Sequence, residues 1–299
     1  MKIECKICSS SAIKIIRNQK IRKGSFKKRV FTDEPVALCE CDVCGSIFLE
    51  KFCDVSFYED GEYREQFNNS RDIDVNQLLH DEEVNDVVHR IGLHTLRGKT
   101  VADFGAGGGN FLDAVINFAE KTYAIEPAKH YHSYLAKNSD VFPLGEDFIR
   151  SGTKVDVATS LSVIEHLDDP VQHIRELLDS VVEGGTVYIK TPNYNDILSR
   201  FAGEDFFDYF IRISHSWYFN EQSMSYILKK ANAKEFKISY FHKYNIGNLI
   251  GWLNEKKPKG NKNNIVFDDV FNAFYKKYIE QKGHGSHLWI EIKKSSKVQ

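Results

Sequence analysis

Apolar and polar residues follow different periods in different parts of this chain. Up to about residue 53, apolar runs such as "SAIKIIR", "PVALCECD" and "SIFLEKF" alternate with turns, which is the pattern of short strands. Over residues 76–96, apolar side chains that include Val84, Val87 and Ile91 recur at helical spacing. The pattern therefore predicts a small β-rich section, followed by a helix that leads into a larger domain.

From residue 99 onward, apolar runs of strand length alternate with segments of helical period. The predicted strands are "TVADF", "TYAIE", "VFPLG", "VDVATS" and "TVYIKTP", and the predicted helices cover residues 110–120, residues 128–137 and "VQHIRELLDSVV". This alternation is typical of a parallel sheet covered by helices, with ligands at the carboxyl ends of the strands. We therefore predict an α/β fold with helices on both faces of the sheet.

The last third of the chain adds a predicted helix near residues 222–231 and two strands, "EFKISYF" and "HLWIEIKK". Between these strands lies an insertion at about residues 245–284. Apolar residues at helical spacing predict a helix there that packs on the domain, and the alternative is a lid. These residues are Phe267, Val270, Phe271, Phe274 and Tyr278.

Together these patterns divide the 299 residues into three parts. Residues 1–60 are predicted to form the small β-rich domain and residues 61–98 the connecting helical segment. Residues 99–299 then form the α/β domain with its helical insertion.

Charge and hydropathy narrow the class of protein. The chain has 40 Lys and Arg against 42 Asp and Glu, which argues against bulk attraction to nucleic acid or to an anionic membrane. No run approaches the ~20 apolar residues of a membrane span, and the start "MKIECKICSS" lacks the apolar core of a signal peptide. We expect a soluble cytoplasmic protein.

Two cysteine pairs occur near the N-terminus, Cys5-x-x-Cys8 and Cys41-x-x-Cys44. Four thiolates in two such pairs are able to complete a tetrahedron around Zn²⁺, with no coordination position left open. The alternative is that the thiols are reduced core cysteines. We expect a structural zinc ion that contributes to folding.

A glycine-rich stretch, "VADFGAGGGNFL", joins the first predicted strand of the α/β domain to a helix. A dinucleotide-binding loop needs glycine at the first, third and sixth positions, but the sixth position after Gly105 is Asn110. An acidic residue, Glu126, ends the next strand. A carboxylate at that position is able to accept hydrogen bonds from both ribose hydroxyls of a nucleoside. The spacing therefore does not match the dinucleotide-binding fingerprint, while the position of Glu126 is one that NAD and S-adenosylmethionine sites share.

Together with "TSLSVIEHLDDP", these motifs resemble those of the class I S-adenosylmethionine-dependent methyltransferases. The resemblance is close over residues 99–190 and looser to residue 294. It implies a Rossmann-like sheet with helices on both faces, preceded by an N-terminal zinc ribbon. It also implies that the methionine part of the cofactor lies over a loop formed by Asp103, Gly105, Ala106, Gly107 and Gly109.

The same resemblance implies further contacts with the cofactor. Asp147 and Phe148, in "GEDFI", would bracket the adenine ring, and Ser160 would lie beside the sulfonium.

Two histidines are candidate catalytic bases. His166 follows the fourth strand in "SVIEHLDDP", and His215 lies in "RISHSWYFN", a segment that the resemblance places above the cofactor. Imidazole titrates near neutrality, which suits removal of a proton from a hydroxyl acceptor. Alternatively, both histidines orient loops, and alignment of donor and acceptor supplies most of the rate.

Three hypotheses about the function remain open, two of which differ in the methyl acceptor. The order of ribbon, aromatic segment (Tyr58, Tyr63, Arg64) and "SHSWYFN" resembles bacterial small-molecule methyltransferases, including enzymes that act on nucleotide-linked sugars and surface-glycan precursors. The basic ribbon also resembles zinc-bearing ribosomal RNA methyltransferases, with phosphate contacts from Lys20, Arg22, Lys23, Lys27, Lys28 and Arg29. The third hypothesis is a non-catalytic scaffold that binds S-adenosylmethionine. We favour an O-methyltransferase for a sugar or related intermediate.

Overall fold

In a computed structural model, the described residues of the chain form two β-sheets, one of seven strands and one of four. It describes residues 3–23, 30–52, 73–258, 260 and 266–295, and over residues 73–79 it describes the backbone only. Two compact units make up the chain. The first, here called the ribbon unit, comprises Met1–Cys53, Thr191–Tyr226 and Ile238–Trp289, and the second, the sheet unit, comprises Asp54–Lys190, Ile227–Lys237 and Ile290–Gln299.

The elements are as follows. The strands are β1 (Ile13–Gln19), β2 (Val36–Cys41), β3 (Ile47–Leu49), β4 (Thr100–Phe104), β5 (Lys121–Ile125), β6 (Asp140–Phe142), β7 (Val155–Leu161), β8 (Val181–Pro192), β9 (Trp217–Tyr218), β10 (Glu235–Phe241) and β11 (His287–Lys293). The α-helices are α1 (Ile73–Ile91), α2 (Leu93–Leu96), α3 (Asn110–Val115), α4 (His132–Leu135), α5 (Gly145–Arg150), α6 (Pro170–Ser180), α7 (Ile197–Phe201), α8 (Gly203–Phe210), α9 (Glu221–Lys230), α10 (Ile246–Glu255) and α11 (Asp269–Gln281).

Strand order locates the ligand edge of the larger sheet. The order is β10-β11-β8-β7-β4-β5-β6, and β4 pairs in parallel with both β5 and β7. Successive strands from β4 extend the sheet in one direction as far as β6, after which β7 returns to the other side of β4. Ligands of open α/β sheets bind at such a reversal, outside the carboxyl ends of the strands. The predicted α/β fold is confirmed, and its ligand edge lies where β4 and β7 end.

Burial explains why β4 forms a central strand. Val101 and Ala102 are fully buried, and Phe104 is nearly so. A parallel strand covered on both faces by helices reads as a nearly continuous apolar run. The smaller sheet has the order β1-β2-β3-β9, and its three neighbouring pairs are antiparallel. The predicted small β-rich ribbon is therefore present.

Several predicted elements have different limits in the structure. The predicted helix over residues 76–96 is interrupted at Gly92, which takes a φ of 87° that ends α1 and begins α2. The helix predicted over residues 110–120 ends at Val115, and the one over 128–137 is a 3₁₀ turn, Lys129–Tyr131, followed by α4. A short helix next to a turn has the same apolar spacing as one longer helix, and this explains why the predicted helices are longer than the observed ones.

The face that α11 buries differs from the prediction. Val270 is 79% exposed and Phe274 is 64% exposed, whereas Asn272 is buried. The Asn272 carboxamide donates to the Asp268 carbonyl at 2.9 Å and accepts from the Ile246 amide at 3.4 Å. A packed helix is present, but the predicted face is wrong, because α11 packs through Asn272, Tyr275 and Ile279 while Val270, Phe271, Phe274 and Tyr278 are exposed.

No helix in the described ranges has both the length and the apolar character needed to cross a membrane. The limits 1–60, 61–98 and 99–299 and the insertion at 245–284 stay predictions. The structure places α10 and α11 within that insertion.

Candidate functional site

The glycine loop lies at the switch point, between the end of β4 and the start of α3. Gly105, Gly107 and Gly109 all have positive φ, at 82°, 54° and 85°. A Cβ on Gly105 would lie 2.4 Å from Cγ2 of Val163, a distance that ordinary packing does not allow. Glycine is therefore required there by both the backbone conformation and the close approach of the segment after β7.

Glu126, one residue past β5, holds this loop in position. One carboxylate oxygen, Oε2, accepts from the Gly107 amide at 2.7 Å, and the other, Oε1, accepts from the Ala128 amide at 2.9 Å. The side chain is nearly buried, at 7% exposed. Glu126 thus links the loop to the chain that leaves β5. Its predicted contact with the ribose stays a prediction.

Asp103 lies inside the sheet, beneath the loop. Its Oδ1 accepts from the Thr159 hydroxyl at 2.6 Å, which ties β4 to β7. Burial raises the pKa of Asp103 to about 7, and the charge on Glu126 contributes to the increase, although the Thr159 hydrogen bond acts in the opposite direction. Asp103 is 3% exposed, and its contact with a cofactor stays a prediction.

Ser160, in β7, has a partner that the sequence did not indicate. Its hydroxyl lies 2.9 Å from Nε2 of His173 in α6, and both side chains are buried. Burial lowers the pKa of His173 to about 4, so the imidazole is neutral near neutrality. His173 is on the apolar face of α6 beside Ile174 and Leu177, and this position is the signal that identifies it as a buried histidine.

The two residues predicted to bracket adenine differ in burial. Asp147 is partly exposed in the first turn of α5. Phe148 is fully buried, and its ring centroid lies 5.8 Å from that of Phe104, 5.5 Å from Tyr123 and 5.1 Å from Phe142. Because this ring lies in the core, a contact of Phe148 with a ligand would have to come from its backbone.

His166 closes a 3₁₀ turn, Ile164–His166, directly after β7. Its Nε2 lies 4.0 Å from Oε1 of Glu165, whose carboxylate is buried. His166 stays a predicted base.

In the ribbon unit, the four predicted zinc ligands converge. The Cys5 and Cys44 sulfurs are 3.5 Å apart, the Cys8 and Cys41 sulfurs are 3.4 Å apart, and all four lie within 4.8 Å of one another. A tetrahedral zinc ion with Zn–S bonds of about 2.3 Å needs sulfurs roughly 3.8 Å apart. The donor set and its spacing therefore fit zinc.

The two cysteine pairs also have the same backbone turn. Ser9 and Gly45, the residues after the second cysteine of each pair, have φ values of 60° and 69°. Their amides donate to the carbonyls of Cys5 at 2.7 Å and Cys41 at 2.9 Å. Each turn directs two thiols to one point, which is independent support for a shared metal ion.

His215 is buried in the ribbon unit with a defined tautomer. Its Nε2 accepts from Nε of Arg212 at 2.9 Å, so the ring proton is on Nδ1. The backbone of Arg212 is in turn fixed by the Tyr218 hydroxyl, which accepts from the Arg212 amide at 2.9 Å and donates to its carbonyl at 3.0 Å. His215 stays a predicted base, and it would need to release Arg212 before it accepts a proton at Nε2. Tyr58, Tyr63 and Arg64, predicted to lie near the acceptor, are outside the described residues.

Three comparisons with known proteins relate this chain to methyltransferases. Over 116 residues it is 31% identical to the tRNA U34 carboxymethyltransferase of Campylobacter curvus, covering 36% of this chain and 39% of that protein. Over 138 residues it is 30% identical to the ubiquinone biosynthesis O-methyltransferase of Pseudomonas paraeruginosa, covering 43% of this chain and 56% of that protein. The matches thus span about half the length of these curated relatives, or less.

Structural comparison agrees on the fold. A solved SAM-dependent methyltransferase from Archaeoglobus fulgidus superposes with a TM-score of 0.50 and 18% identity, covering 81% of this chain and all of that one. A family model described as "Methyltransferase domain" matches residues 77–235, which is more than half of the chain and includes the glycine loop, Glu126 and the end of β7. The chain therefore belongs to the methyltransferase domain family.

Proposed function

We propose that this protein transfers a methyl group from S-adenosylmethionine to a hydroxyl of a small molecule. The acceptor is a sugar or a surface-glycan intermediate, such as a nucleotide-linked sugar. The observation that carries the proposal is the glycine loop at the switch point, which Glu126 fastens through both carboxylate oxygens. No phosphate has to be bound beneath this loop, and the buried carboxylate of Asp103 fits that property.

The loop is suited to hold the cofactor. The positive φ of Gly105 and the absence of a Cβ there let the loop pass close to Val163. We propose that Gly105, Ala106, Gly107 and Gly109 lie against the methionine part, with Glu126 at the ribose. Asp103 belongs to the same site, Ser160 lies beside the sulfonium, and Asp147 and the backbone of Phe148 lie near the adenine. When bound, S-adenosylmethionine supplies an electrophilic methyl group.

We propose His215 as the first candidate base and His166 as the second. The hydrogen bond from Arg212 to His215 supports the alternative, in which His215 orients its loop and alignment supplies the rate. His215→Ala and His166→Ala separate these roles. If either residue is the base, turnover falls while affinity for S-adenosylmethionine is retained, and a full rate in both variants leaves alignment as the mechanism.

The zinc ion is structural in this proposal. Four sulfurs occupy all positions of a tetrahedron, so Cys5, Cys8, Cys41 and Cys44 would hold the ion without leaving a position for a substrate. Cysteines that ligate zinc have to stay reduced, and a reducing compartment maintains that state, so the proposed zinc site supports a cytoplasmic location.

Calorimetry with S-adenosylmethionine and its demethylated product tests the cofactor, and transfer of a labelled methyl group to a panel of sugars tests the acceptor. Binding of the cofactor with transfer to a hydroxyl is the expected result. If neither cofactor form binds, the methyltransferase proposal fails. If the cofactor binds and no acceptor of any class is methylated, the scaffold hypothesis replaces it.

RNA is the second candidate acceptor. Similarity to a tRNA U34 carboxymethyltransferase favours it, as does a basic segment with Lys20 and Lys23 in the ribbon unit. Lys27, Lys28 and Arg29, also predicted to contact phosphates, are outside the described residues. Retention on RNA that weakens steeply with salt, together with methylation of that RNA, would favour this acceptor over a sugar.

A further inference from the structure

A pocket of about 190 Å³ lies within the ribbon unit. Most of the residues around it belong to no sequence motif that predicts ligand binding. Six of its lining residues decide what it is able to bind, namely Arg22, Asp196, Phe206, Arg212, Asn248 and Trp252.

One wall of the pocket is aromatic and rigid. The rings of Phe206 in α8 and Trp252 in α10 meet edge to face, with centroids 5.9 Å apart, and both side chains are 2% exposed. Tyr209 also packs on Trp252, at 5.5 Å. Aromatic side chains that are held in place offer an apolar surface for a ring, as in most small-molecule pockets.

Two buried polar side chains line the pocket as well. Asp196, at the start of α7, uses one carboxylate oxygen to accept from the Leu198 amide at 2.9 Å, which leaves the second oxygen for a ligand. Asn248 is in the first turn of α10 and is 3% exposed. A carboxylate accepts hydrogen bonds and a carboxamide both donates and accepts them, so the pair suits neighbouring hydroxyl groups.

The pocket is also cationic. Arg22 and Arg212 bring two guanidinium groups, which stay charged at any physiological pH, against the single carboxylate of Asp196 among the described lining residues. Arg22 is oriented by its hydrogen bond to the Tyr209 carbonyl at 2.7 Å. A buried excess of positive charge favours a ligand that carries a negative group.

Volume limits the size of that ligand. Pockets for drug-sized molecules enclose about 300–1,000 Å³. This pocket corresponds to the liquid volume of roughly six water molecules, at about 30 Å³ each. One six-membered ring fits, and the remainder of any larger molecule would extend outside.

We propose that this pocket binds a monosaccharide ring that carries an acidic group. Asp196 and Asn248 bond its hydroxyls, the Phe206 and Trp252 rings contact its apolar face, and Arg22 and Arg212 receive the acid. The acid is either a carboxylate or a phosphate, since both accept from guanidinium groups. The choice of a sugar rests on the function proposed above, whereas the pocket and its charge stand independently of it.

Calorimetry of the full chain without cofactor tests the binding, with four probes: glucuronate, glucose 1-phosphate, glucose and benzoate. We expect one acidic sugar to bind at least tenfold more tightly than glucose and than benzoate, and the tighter of the two identifies the acid. The proposal is overturned if neither acidic sugar binds, if glucose binds as tightly, or if benzoate does.

Matched variants test the residues. Asn248→Ala should weaken binding of the acidic sugar about tenfold without loss of fold, because alanine is favourable within a helix. Asn254→Ala, on the exposed side of the same helix, should bind like the unaltered protein. Asp196→Asn keeps the bond to the Leu198 amide but removes the second carboxylate oxygen as an acceptor for a sugar hydroxyl, and we expect weaker binding from the loss of that hydrogen bond. Unchanged binding in both pocket variants refutes the assignment.

A methyl-transfer assay separates this proposal from the proposed function. An acidic sugar that binds in the pocket but is never methylated contradicts the sugar acceptor and leaves the pocket assignment standing. Methylation of a neutral sugar, with no binding of acidic sugars, contradicts the pocket assignment alone.

Discussion

Replacement of Glu126 by alanine should destabilise the protein even when no cofactor is present. The carboxylate accepts two backbone hydrogen bonds, from Gly107 at 2.7 Å and from Ala128 at 2.9 Å, at a nearly buried position. Alanine would leave both amides without this acceptor. Hydrogen bonds to charged groups contribute about 1.5–3 kcal/mol each, and part of that is recovered by water, so we expect a loss of about 2–4 kcal/mol.

Chemical denaturation without cofactor measures that loss as a change in the free energy of unfolding. Calorimetry with S-adenosylmethionine measures the accompanying loss of affinity, which arises because the loop is no longer held and because the predicted ribose contact is removed. Glu120→Ala is the matched control, since Glu120 is an exposed glutamate just before β5, and it should change neither quantity.

The two measurements distinguish two roles for the same side chain. If Glu126 acts only on the ribose, Glu126→Ala lowers affinity and leaves stability without cofactor unchanged. If it acts only on the loop, the free energy of unfolding without cofactor falls, and the affinity for S-adenosylmethionine falls only because the loop is less well held. An unchanged free energy of unfolding in Glu126→Ala would refute the reasoning from the two hydrogen bonds.

Three further predictions concern the metal, the buried acid and the loop. Elemental analysis should find one zinc ion per chain. The zinc should be lost in Cys8→Ser, with a fall in thermal stability, and should be retained in the control Cys39→Ser. Zinc retained by Cys8→Ser would contradict the four-sulfur site. Because the folded pKa of Asp103 is raised from 3.8 to about 7, its contribution to stability is present at low pH and is lost as pH rises between about 4 and 7. Asp103→Asn should therefore gain stability relative to the unaltered protein from pH 4.5 to pH 7.5, and a constant difference across that range would refute the pKa. Gly105→Ala should lower the free energy of unfolding more than Gly152→Ala does, because both glycines have positive φ but only a Cβ on Gly105 meets Val163. In chemical denaturation, adding Val163→Ala to Gly105→Ala should recover part of that difference.

The sequence predicted the parts of the site that depend on local spacing. Alternating glycines between a strand and a helix identified the loop, and two Cys-x-x-Cys pairs identified four sulfurs that converge. These features can be predicted because each motif is defined by residues that are close together in the sequence. Ser160 and His173 are thirteen positions apart, so their contact depends on how α6 packs against β7, which periodicity does not determine.

Other features were missed because polar residues took positions that hydropathy gives to apolar ones. Asn272 is buried in α11 while Phe274 faces solvent. Asp196 and Asn248 line a pocket although neither belongs to a recognisable motif. Asp196 caps the start of α7 and Asn272 joins the starts of α10 and α11, and a pattern of apolar spacing contains no information about those bonds.

Two carboxylates lie beneath the glycine loop, and their charges oppose each other. Glu126 is bound by two backbone amides, and its charge adds to the burial that raises the pKa of Asp103 to about 7. Near neutrality Asp103 is therefore partly protonated. A positively charged ligand over the loop would favour the second charge and so release that proton, because an opposite charge nearby lowers the pKa of a carboxyl group. Asp103 thus makes the charge beneath the loop adjustable, whereas Glu126 sets the loop's shape.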